Sequence, residues 1–167
     1  VHLLPEKDFQ KVRTARNRYL ITPEAQDKFY NSVVGVGGLS VGNSIALTLA
    51  LQGGAKHIKL ADFDRLALSN LNRIRAGVQY LGLKKVEMAA RQIYEINPYA
   101  KISLFPDGIT PENIDAFFVG LPKLDVVVDE LDTMAVKLLI RQKAKKYKIP
   151  VLQGADNGDN AIIDIER

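Results

Sequence analysis

The stretch Gly35-Val36-Gly37-Gly38-Leu39-Ser40-Val41-Gly42 decides the fold class of this chain. It follows a short apolar segment, predicted as a strand over 32–36, and leads into an almost wholly apolar segment, predicted as a helix over 39–52. Glycines at such a junction let the backbone approach a phosphate, and the following helix N-terminus offers free N–H groups and a positive dipole end. The stretch therefore predicts an α/β unit that binds a nucleotide.

The rest of the chain continues the alternation of strands and helices. Helices are predicted at 84–97, at 110–119 with Thr110 as cap and Pro111 as first helical residue, and at 133–149. Strands are predicted at 57–61, 101–105, 124–128, 150–153 and 161–165. This order indicates a doubly wound, Rossmann-like and mostly parallel sheet with helices on both faces. Residues 1–31 are expected to form an N-terminal arm, irregular or helical, and residues 32–167 the nucleotide-binding domain, incomplete at its C-terminus.

Composition and length exclude several classes of protein. The 167 residues contain no cysteine, which rules out disulfides, thiolate zinc sites and covalent chemistry on a thiol within this chain. No apolar run approaches the roughly 18–20 residues of a membrane span, and the N-terminus lacks the order of a secretory signal. We expect one soluble, cytoplasmic domain without a membrane partner.

The net charge of +4 raises the question of nucleic acid binding. Residues 133–149 carry six cations and no acid, but apolar residues interleave at helical spacing, so the segment reads as the solvated face of an amphipathic helix. No aromatic platform accompanies the cations. A nucleic acid partner is therefore not expected.

The glycine stretch departs from both well-known phosphate loops. Ser40 occupies the place of the third glycine of the dinucleotide fingerprint, and Asn43 occupies the place of the P-loop lysine. Asp62 follows Gly42 by 20 residues at the end of the second strand, where an acid can bind ribose hydroxyls. The alternative is a glycine turn that only permits close helix–strand packing.

Further polar residues follow the second and fourth predicted strands, at the sheet edge where doubly wound folds bind ligands. The run 61–73 reads Ala-Asp-Phe-Asp-Arg-Leu-Ala-Leu-Ser-Asn-Leu-Asn-Arg, and Asp132 lies three residues after Asp129. Asp132 can carry Mg²⁺, while arginine and lysine neutralise phosphate charge. Each residue also has an ordinary interpretation: Asp132 as a helix N-cap, Lys85 as a surface cation and Asn70 as a turn residue.

The motifs GVGGLSVG, ADFDRLALSNLNR, GLKKVEMAARQIYEINP and VVVDELDTMAVK together resemble the ThiF/MoeB/ubiquitin-activating (UBA) family of adenylating enzymes. The resemblance runs from about Arg13 to the C-terminus. It implies that ATP and Mg²⁺ are bound and that a carboxylate, such as the C-terminal glycine of a ubiquitin-like or sulfur-carrier protein, attacks the α-phosphorus. The products are an acyl-adenylate and pyrophosphate. A small carboxylate or a tRNA base remains open as the substrate.

The resemblance also implies roles for individual residues. Asp132 would bind Mg²⁺, and an arginine from the partner subunit's arm would complete the site, which implies a homodimer. Arg18 is the best match for that arginine, with an ordinary surface arginine as the alternative. The nucleotide would be held by Gly35, Gly37, Gly38, Asp62, Asp64 and Asn70, and its triphosphate would be contacted by Asn70, Arg73 and Lys85.

The chain departs from the family pattern in several places. Thr133 follows Asp132 where the family often has asparagine, and Ser40 replaces a frequent glycine. The zinc-binding Cys-x-x-Cys pairs and the catalytic cysteine of many members are missing. Two further functions therefore stay open: a non-catalytic nucleotide-binding module of a larger assembly, and a NAD(P)-dependent oxidoreductase domain.

Overall fold

Six strands and six helices make up the part of the chain that the computed structural model describes, residues 4–157 and 159–167. The strands are β1 (Val33–Gly37), β2 (His57–Ala61), β3 (Lys101–Phe105), β4 (Val126–Asp129), β5 (Val151–Asn157) and β6 (Asn160–Glu166). The helices are α1 (Glu6–Arg13), α2 (Pro23–Asn31), α3 (Gly42–Leu51), α4 (Lys85–Ile96), α5 (Ile114–Val119) and α6 (Met134–Tyr147). Short 3-10 segments lie at Ala15–Tyr19, Leu68–Asn70 and Val78–Tyr80.

The strands form one sheet in the order β3-β2-β1-β4-β5-β6. The first five run parallel, and β6 pairs antiparallel with β5 at the edge. The predicted Rossmann-like, mostly parallel architecture is confirmed. Because the chain moves outward from β1 in one direction and then returns to place β4 on its other side, the strand order reverses between β1 and β4. Doubly wound sheets bind their ligands at such a point.

Apolar residues cover both faces of the sheet. On one face α3 and α4 pack over β1 and β2 around Val36, Leu60 and Ile93, all fully buried. On the other face α5 and α6 pack over β1 and β4 around Phe117, Val127 and Ile140. These continuous apolar strands are typical of parallel sheets that are buried on both sides.

Two predicted helix starts are wrong. The helix predicted from residue 39 begins at Gly42, because residues 38–41 form the loop that leaves β1. The helix predicted to begin at Pro111 begins at Ile114. Asn113 explains the second difference, since its side chain accepts a hydrogen bond from the Thr110 N–H (2.8 Å) and donates one to the Gly108 carbonyl (2.8 Å). These bonds hold residues 110–113 in a turn outside the helix.

The N-terminal arm is helical over much of its length and docks where α3 ends. Arg13 donates to the carbonyl of Ala50, Asn17 to that of Gln52, and Gln26 to that of Gly53. Cations and amide donors near a helix C-terminus satisfy carbonyls that have no partner inside the helix. Residues 1–3 of the predicted arm lie outside the described residues, and the division into arm and domain stays a prediction. Within the described ranges, each helix is too short or too polar to cross a membrane.

Candidate functional site

Three loops meet at one edge of the sheet, beside the point where the strand order reverses. They follow the carboxyl ends of β1, β2 and β4, at Gly37, Ala61 and Asp129, which lie in register across the sheet. The sequence-predicted residues Gly38, Asp62 and Asp132 all lie on these loops. The topology therefore brings the three separate sequence motifs to one place.

Hydrogen bonds fix the glycine loop after β1 to both neighbouring strands. The Gly38 N–H donates to the Ala61 carbonyl (2.9 Å), and the Gly37 carbonyl accepts from the Glu130 N–H (2.8 Å). Gly38 has φ +84°, and a Cβ atom there would overlap the Glu130 carbonyl. Glycine at residue 38 is therefore needed both for its backbone conformation and for close contact with the β4 loop.

Close packing against the protein itself explains the earlier glycine of the stretch. A Cβ atom at Gly35 would lie 2.7 Å from atoms of Phe117 and Leu124, in the core under α5. Gly35 thus lies in the middle of β1 and packs against the core, and its contact with a nucleotide stays a prediction. Gly37 is closer to the loop, where a Cβ atom would lie 3.2 Å from Ile109 and 3.3 Å from Leu131.

Asp62 binds the backbone of two loops. One carboxylate oxygen accepts the Leu39 N–H (2.7 Å), and the other accepts the Asp64 N–H (2.8 Å). The residue is buried. Carboxylate oxygens have more than one lone pair, so these bonds leave acceptor capacity at the loop surface. Asp62 thus holds the glycine loop against the end of β2.

Lys85 is the buried cation of this edge. Its Nζ lies 2.8 Å from the Asp64 carboxylate, 3.2 Å from Ser40 Oγ and 3.9 Å from Asp62, and the residue is only 3% exposed. The alternative interpretation of Lys85 as a surface cation is therefore wrong. The neighbouring Lys84 instead donates to the carbonyl of Pro106 (3.0 Å) and lies 3.6 Å from the Asp107 carboxylate.

Asn70 and Arg73 lie on the irregular segment between β2 and α4. The Asn70 side chain accepts the Ala67 N–H (2.9 Å), which is the turn role considered as its alternative. Arg73 is exposed and donates to the Ser69 carbonyl (3.3 Å) and to Asn72 (3.0 Å). Both residues follow the carboxyl end of β2, where the other loops of the site lie. Their contact with a ligand stays a prediction.

Asp132 is exposed on the short loop between β4 and α6. Thr133, not Asp132, is the residue that precedes the first turn of α6, so the N-cap interpretation of Asp132 is wrong. Groups of three His, Asp or Glu side chains able to hold a metal are not found in the described ranges.

Two charged residues near Asp132 were missed by the sequence analysis. Asp129 is fully buried; its Oδ1 accepts the Leu131 N–H (3.2 Å) and lies 3.6 Å from Lys137 Nζ. Its Oδ2 is buried and has no hydrogen-bond partner among the described residues. An acid directly after three valines was the available signal, but the sequence does not show which cation reaches it.

Arg18 lies at the opposite end of the molecule from these loops. Its 3-10 segment packs where α3 ends, whereas the glycine loop precedes the start of α3. Ten helical residues separate the two, about 15 Å at 1.5 Å per residue. Arg18 is exposed and stacks on Tyr19, 4.8 Å from the ring centre. The structure does not bring Arg18 to the site of its own chain.

The order of the strands and the charged loops define the class of this protein: an α/β protein with its ligand-binding edge at the glycine loop. Comparison with known sequences then gives the family. The ThiF family matches residues 14–159, so the chain belongs to the ThiF family. The predicted family is thereby confirmed.

Three relatives illustrate the range of this family. The chain is 44% identical over 167 residues to the Mycobacterium tuberculosis protein MT1398, covering 100% of this chain and 23% of the relative. It is 36% identical over 123 residues to the Escherichia coli tRNA threonylcarbamoyladenosine dehydratase, covering 72% of this chain and 43% of the relative. It is 30% identical over 124 residues to the Haemophilus influenzae molybdopterin-synthase adenylyltransferase, covering 74% of this chain and 49% of the relative. The chain therefore spans less than half the length of each of these relatives.

Solved structures agree with the fold. The E. coli tRNA N6-threonylcarbamoyladenosine dehydratase in complex with ATP superposes with a TM-score of 0.83 at 26% identity, covering 95% of this chain and 65% of that one. The same enzyme in complex with AMP superposes with a TM-score of 0.83 at 27% identity, with the same coverage. The fold of this chain is thus one that binds adenine nucleotides in a relative.

Proposed function

We propose that this protein is an ATP-dependent adenylyltransferase that activates a carboxylate. The proposed substrate is the C-terminal glycine of a ubiquitin-like or sulfur-carrier protein. The observation that carries the proposal is Lys85, a buried cation held at the glycine loop by two carboxylates and a hydroxyl. A buried ammonium group at this edge of the sheet is suited to an anionic ligand such as a phosphate.

The residues present fit an adenine nucleotide. Gly37 and Gly38 bring bare backbone close to the start of α3, whose first N–H groups have no partner inside the helix. Asp62 and the half-exposed Asp64 follow β2, where ribose hydroxyls are bound in this type of fold. In the proposal these four residues hold the nucleoside and its first phosphate, while Asn70, Arg73 and Lys85 contact the triphosphate. Gly35 is omitted because it packs against Phe117.

The site also fits Mg²⁺ in the way this ion usually binds beside phosphates. Mg²⁺ commonly takes one or two protein carboxylates and completes its shell with substrate phosphates and water. Asp132 supplies one exposed carboxylate, and the absence of a three-residue metal cluster in the described ranges agrees with that mode. When bound, Mg²⁺ would neutralise charge on the departing pyrophosphate.

The proposed reaction joins two anions, so charge is its main obstacle. A carboxylate oxygen forms a bond to the α-phosphorus, and the bond from that phosphorus to the bridging oxygen of pyrophosphate breaks. Lys85 and Arg73 would offset the repulsion and hold the phosphates in line with the attacking oxygen. Without a cysteine, this chain by itself could not pass the acyl group to a thiol of its own.

A homodimer follows from the position of Arg18 within this proposal. Because Arg18 lies one helix length from its own chain's glycine loop, it can serve a site only on a second copy. We therefore propose that each arm supplies Arg18 to the neighbouring subunit.

A second candidate substrate is a carboxylate carried by tRNA. The relatives named tRNA threonylcarbamoyladenosine dehydratase favour it, because a threonylcarbamoyl group bears a free carboxylate and loss of water requires that an oxygen be activated. The same site residues would form the same kind of acyl-adenylate. Only the surface that selects the carboxylate would differ.

Exchange of radiolabelled pyrophosphate into ATP tests the proposal. Exchange should require Mg²⁺ and a carboxylate substrate, and it should be measured separately with a carrier protein ending in glycine and with threonylcarbamoyl-modified tRNA. Replacing Asp132 with alanine should lower the exchange rate by about 10²–10³-fold through loss of the metal ligand. Full activity of that variant would overturn the assignment of Asp132.

Direct binding separates the remaining alternatives. Tight Mg-ATP binding with no exchange on any carboxylate would favour a non-catalytic module. Binding of NADH in preference to Mg-ATP, measured side by side by calorimetry, would instead favour an oxidoreductase domain.

A further inference from the structure

A buried ion pair lies directly behind the loop that carries Asp132. Asp129 closes β4 with no exposed surface, and Lys137, in the second turn of α6, approaches it with its Nζ 3.6 Å from Asp129 Oδ1. The Lys137 side chain is itself only 16% exposed. Between the two residues the chain passes through Asp132 and turns into the helix.

The position of Lys137 is electrostatically unusual. Cations are disfavoured near a helix N-terminus, where the dipole is positive, and a Ser, Thr, Asp or Asn side chain commonly caps the first turn. Thr133 makes no side-chain cap bond within the described part of the chain. Asp129 is the acid that balances the local positive charge, from the strand side of the loop.

Both ends of the loop are held in place. On the strand side, Asp129 Oδ1 accepts the Leu131 N–H (3.2 Å), and the Glu130 N–H donates to Gly37 (2.8 Å). On the helix side, the Lys137 N–H donates to the Thr133 carbonyl (3.0 Å). Asp132 lies between these anchors and is exposed. The loop that carries Asp132 is thus anchored to the sheet on one side and continues into α6 on the other.

Burial of the Asp129–Lys137 pair has a cost in folding stability. Burying a carboxylate and an ammonium group is often no better for stability than an apolar pair of similar size. Asp129 Oδ2 moreover has no hydrogen-bond partner among the described residues, which is unfavourable for a buried acceptor. A role in orienting a neighbouring group would account for charges at these two positions.

We propose that Asp129 and Lys137 are positioning residues that orient Asp132 toward the Mg²⁺ ion of the bound nucleotide. The inference rests on the proposed function, because it assumes that Asp132 is the magnesium ligand. It assigns no contact with the nucleotide to either residue. Partners that orient a metal ligand typically change metal affinity by about 10–100-fold when they are replaced.

Calorimetric titration of ATP, once in EDTA and once in excess Mg²⁺, provides a test that needs no turnover. The ratio of the two dissociation constants measures how much Mg²⁺ strengthens nucleotide binding. Asp129→Asn and Lys137→Met should each reduce this ratio by about tenfold while leaving the affinity in EDTA unchanged. Lys137→Arg should restore most of it, since a cation again faces Asp129.

Matched controls come from the same elements. Asp125→Asn replaces another β4-flanking acid, which accepts the Val33 N–H (2.8 Å) at the far end of the strand, and Lys145→Met replaces an exposed cation of α6. Both should keep the wild-type ratio. Affinity for ATP in EDTA shows that each variant is folded.

The outcomes distinguish failure of the positioning role from failure of the proposed function. A wild-type ratio in Asp129→Asn, with a ratio near one in Asp132→Ala, would overturn the positioning role and leave the proposed function intact. A wild-type ratio in Asp132→Ala would overturn the magnesium assignment itself, and the positioning role with it. Equal loss of affinity with and without Mg²⁺ in Asp129→Asn would show a purely structural role and also contradict the inference.

Discussion

Strands β2 and β4 lie on either side of β1, and each leads to a buried acid at the carboxyl end of the sheet. The two acids, Asp62 and Asp129, differ in their hydrogen bonds. After β2, Asp62 uses both carboxylate oxygens to accept backbone N–H groups, and Lys85 faces two carboxylates. After β4, Asp129 has one oxygen bonded and one buried without a partner among the described residues. The two acids therefore differ in how many of their oxygens accept a hydrogen bond from the described residues.

This difference assigns separate tasks to the two loops. A fully bonded loop keeps its shape without a ligand, so the β2 loop is suited to a preformed nucleotide cradle. The β4 loop exposes Asp132 next to the buried Asp129–Lys137 pair, so it is suited to present a metal ligand at the surface. Gly38 links the two, because it bonds to β2 and touches the Glu130 carbonyl after β4.

The largest effect is expected from removal of Lys85, the α4 cation that faces the acids after β2. Lys85→Met leaves Asp62 and Asp64 without their ammonium group and removes the charge that faces the triphosphate in the proposed reaction. Pyrophosphate exchange should fall by about 10²–10³-fold. Lys84→Met is the matched control, since Lys84 donates to Pro106, and its exchange rate should stay within about twofold. Similar rates for the two variants would contradict a special role for the β2 loop.

A smaller effect is expected from the residue that links the loops. Gly38→Ala adds a Cβ atom that overlaps the Glu130 carbonyl at a residue with φ +84°, and unfolding in urea should show a loss of about 3 kcal/mol. Gly82→Ala measures the cost of a positive φ without a steric contact, because Gly82 has φ +82° and a Cβ there would meet no described atom within 4 Å. That variant should lose only about 1 kcal/mol. Equal losses would show that contact with Glu130 does not matter.

The smallest effect concerns Lys59, the buried cation inside β2. Its Nζ donates to the carbonyls of Phe117 (2.8 Å), Gly120 (2.7 Å) and Ala116 (3.3 Å) at the end of α5, and burial lowers the pKa of Lys59 from its usual value of 10.5. Between the lowered and the usual pKa, the unfolded chain binds more protons than the folded one. The free energy of unfolding should therefore rise with pH as the pH approaches 10.5.

Lys59→Met removes this group, so the variant should lack that alkaline rise when unfolding is measured by urea denaturation across the pH range. Lys101→Met is the control on the neighbouring strand β3, because Lys101 is exposed. If the free energy of unfolding of Lys59→Met rises with pH as steeply as that of the wild type, the carbonyl contacts fully offset the burial of the charge.

Local sequence patterns predicted several elements accurately. The strands at 57–61 and 101–105 agree with β2 and β3, and α4 lies within one residue of its predicted bounds. These segments have apolar periodicity and clear stop signals, so local physics decides them. The start of α5 could not be predicted, because a side chain of Asn113 bonds Thr110 and Gly108 in a way that the proline signal does not encode.

The sequence by itself determined the alternation of elements, the glycine loop, and the acids and lysines placed after strands, because these depend on residue type and short spacing. Only the tertiary structure decided that Gly35 packs in the core, that Lys85 is buried between Asp62 and Asp64, and that Arg18 lies at the opposite end of α3 from the glycine loop. It also decided the partnership of Asp129 with Lys137. Such facts depend on which distant segments the sheet brings together, and hydrogen bonds and burial between those segments cannot be read from neighbours in the chain.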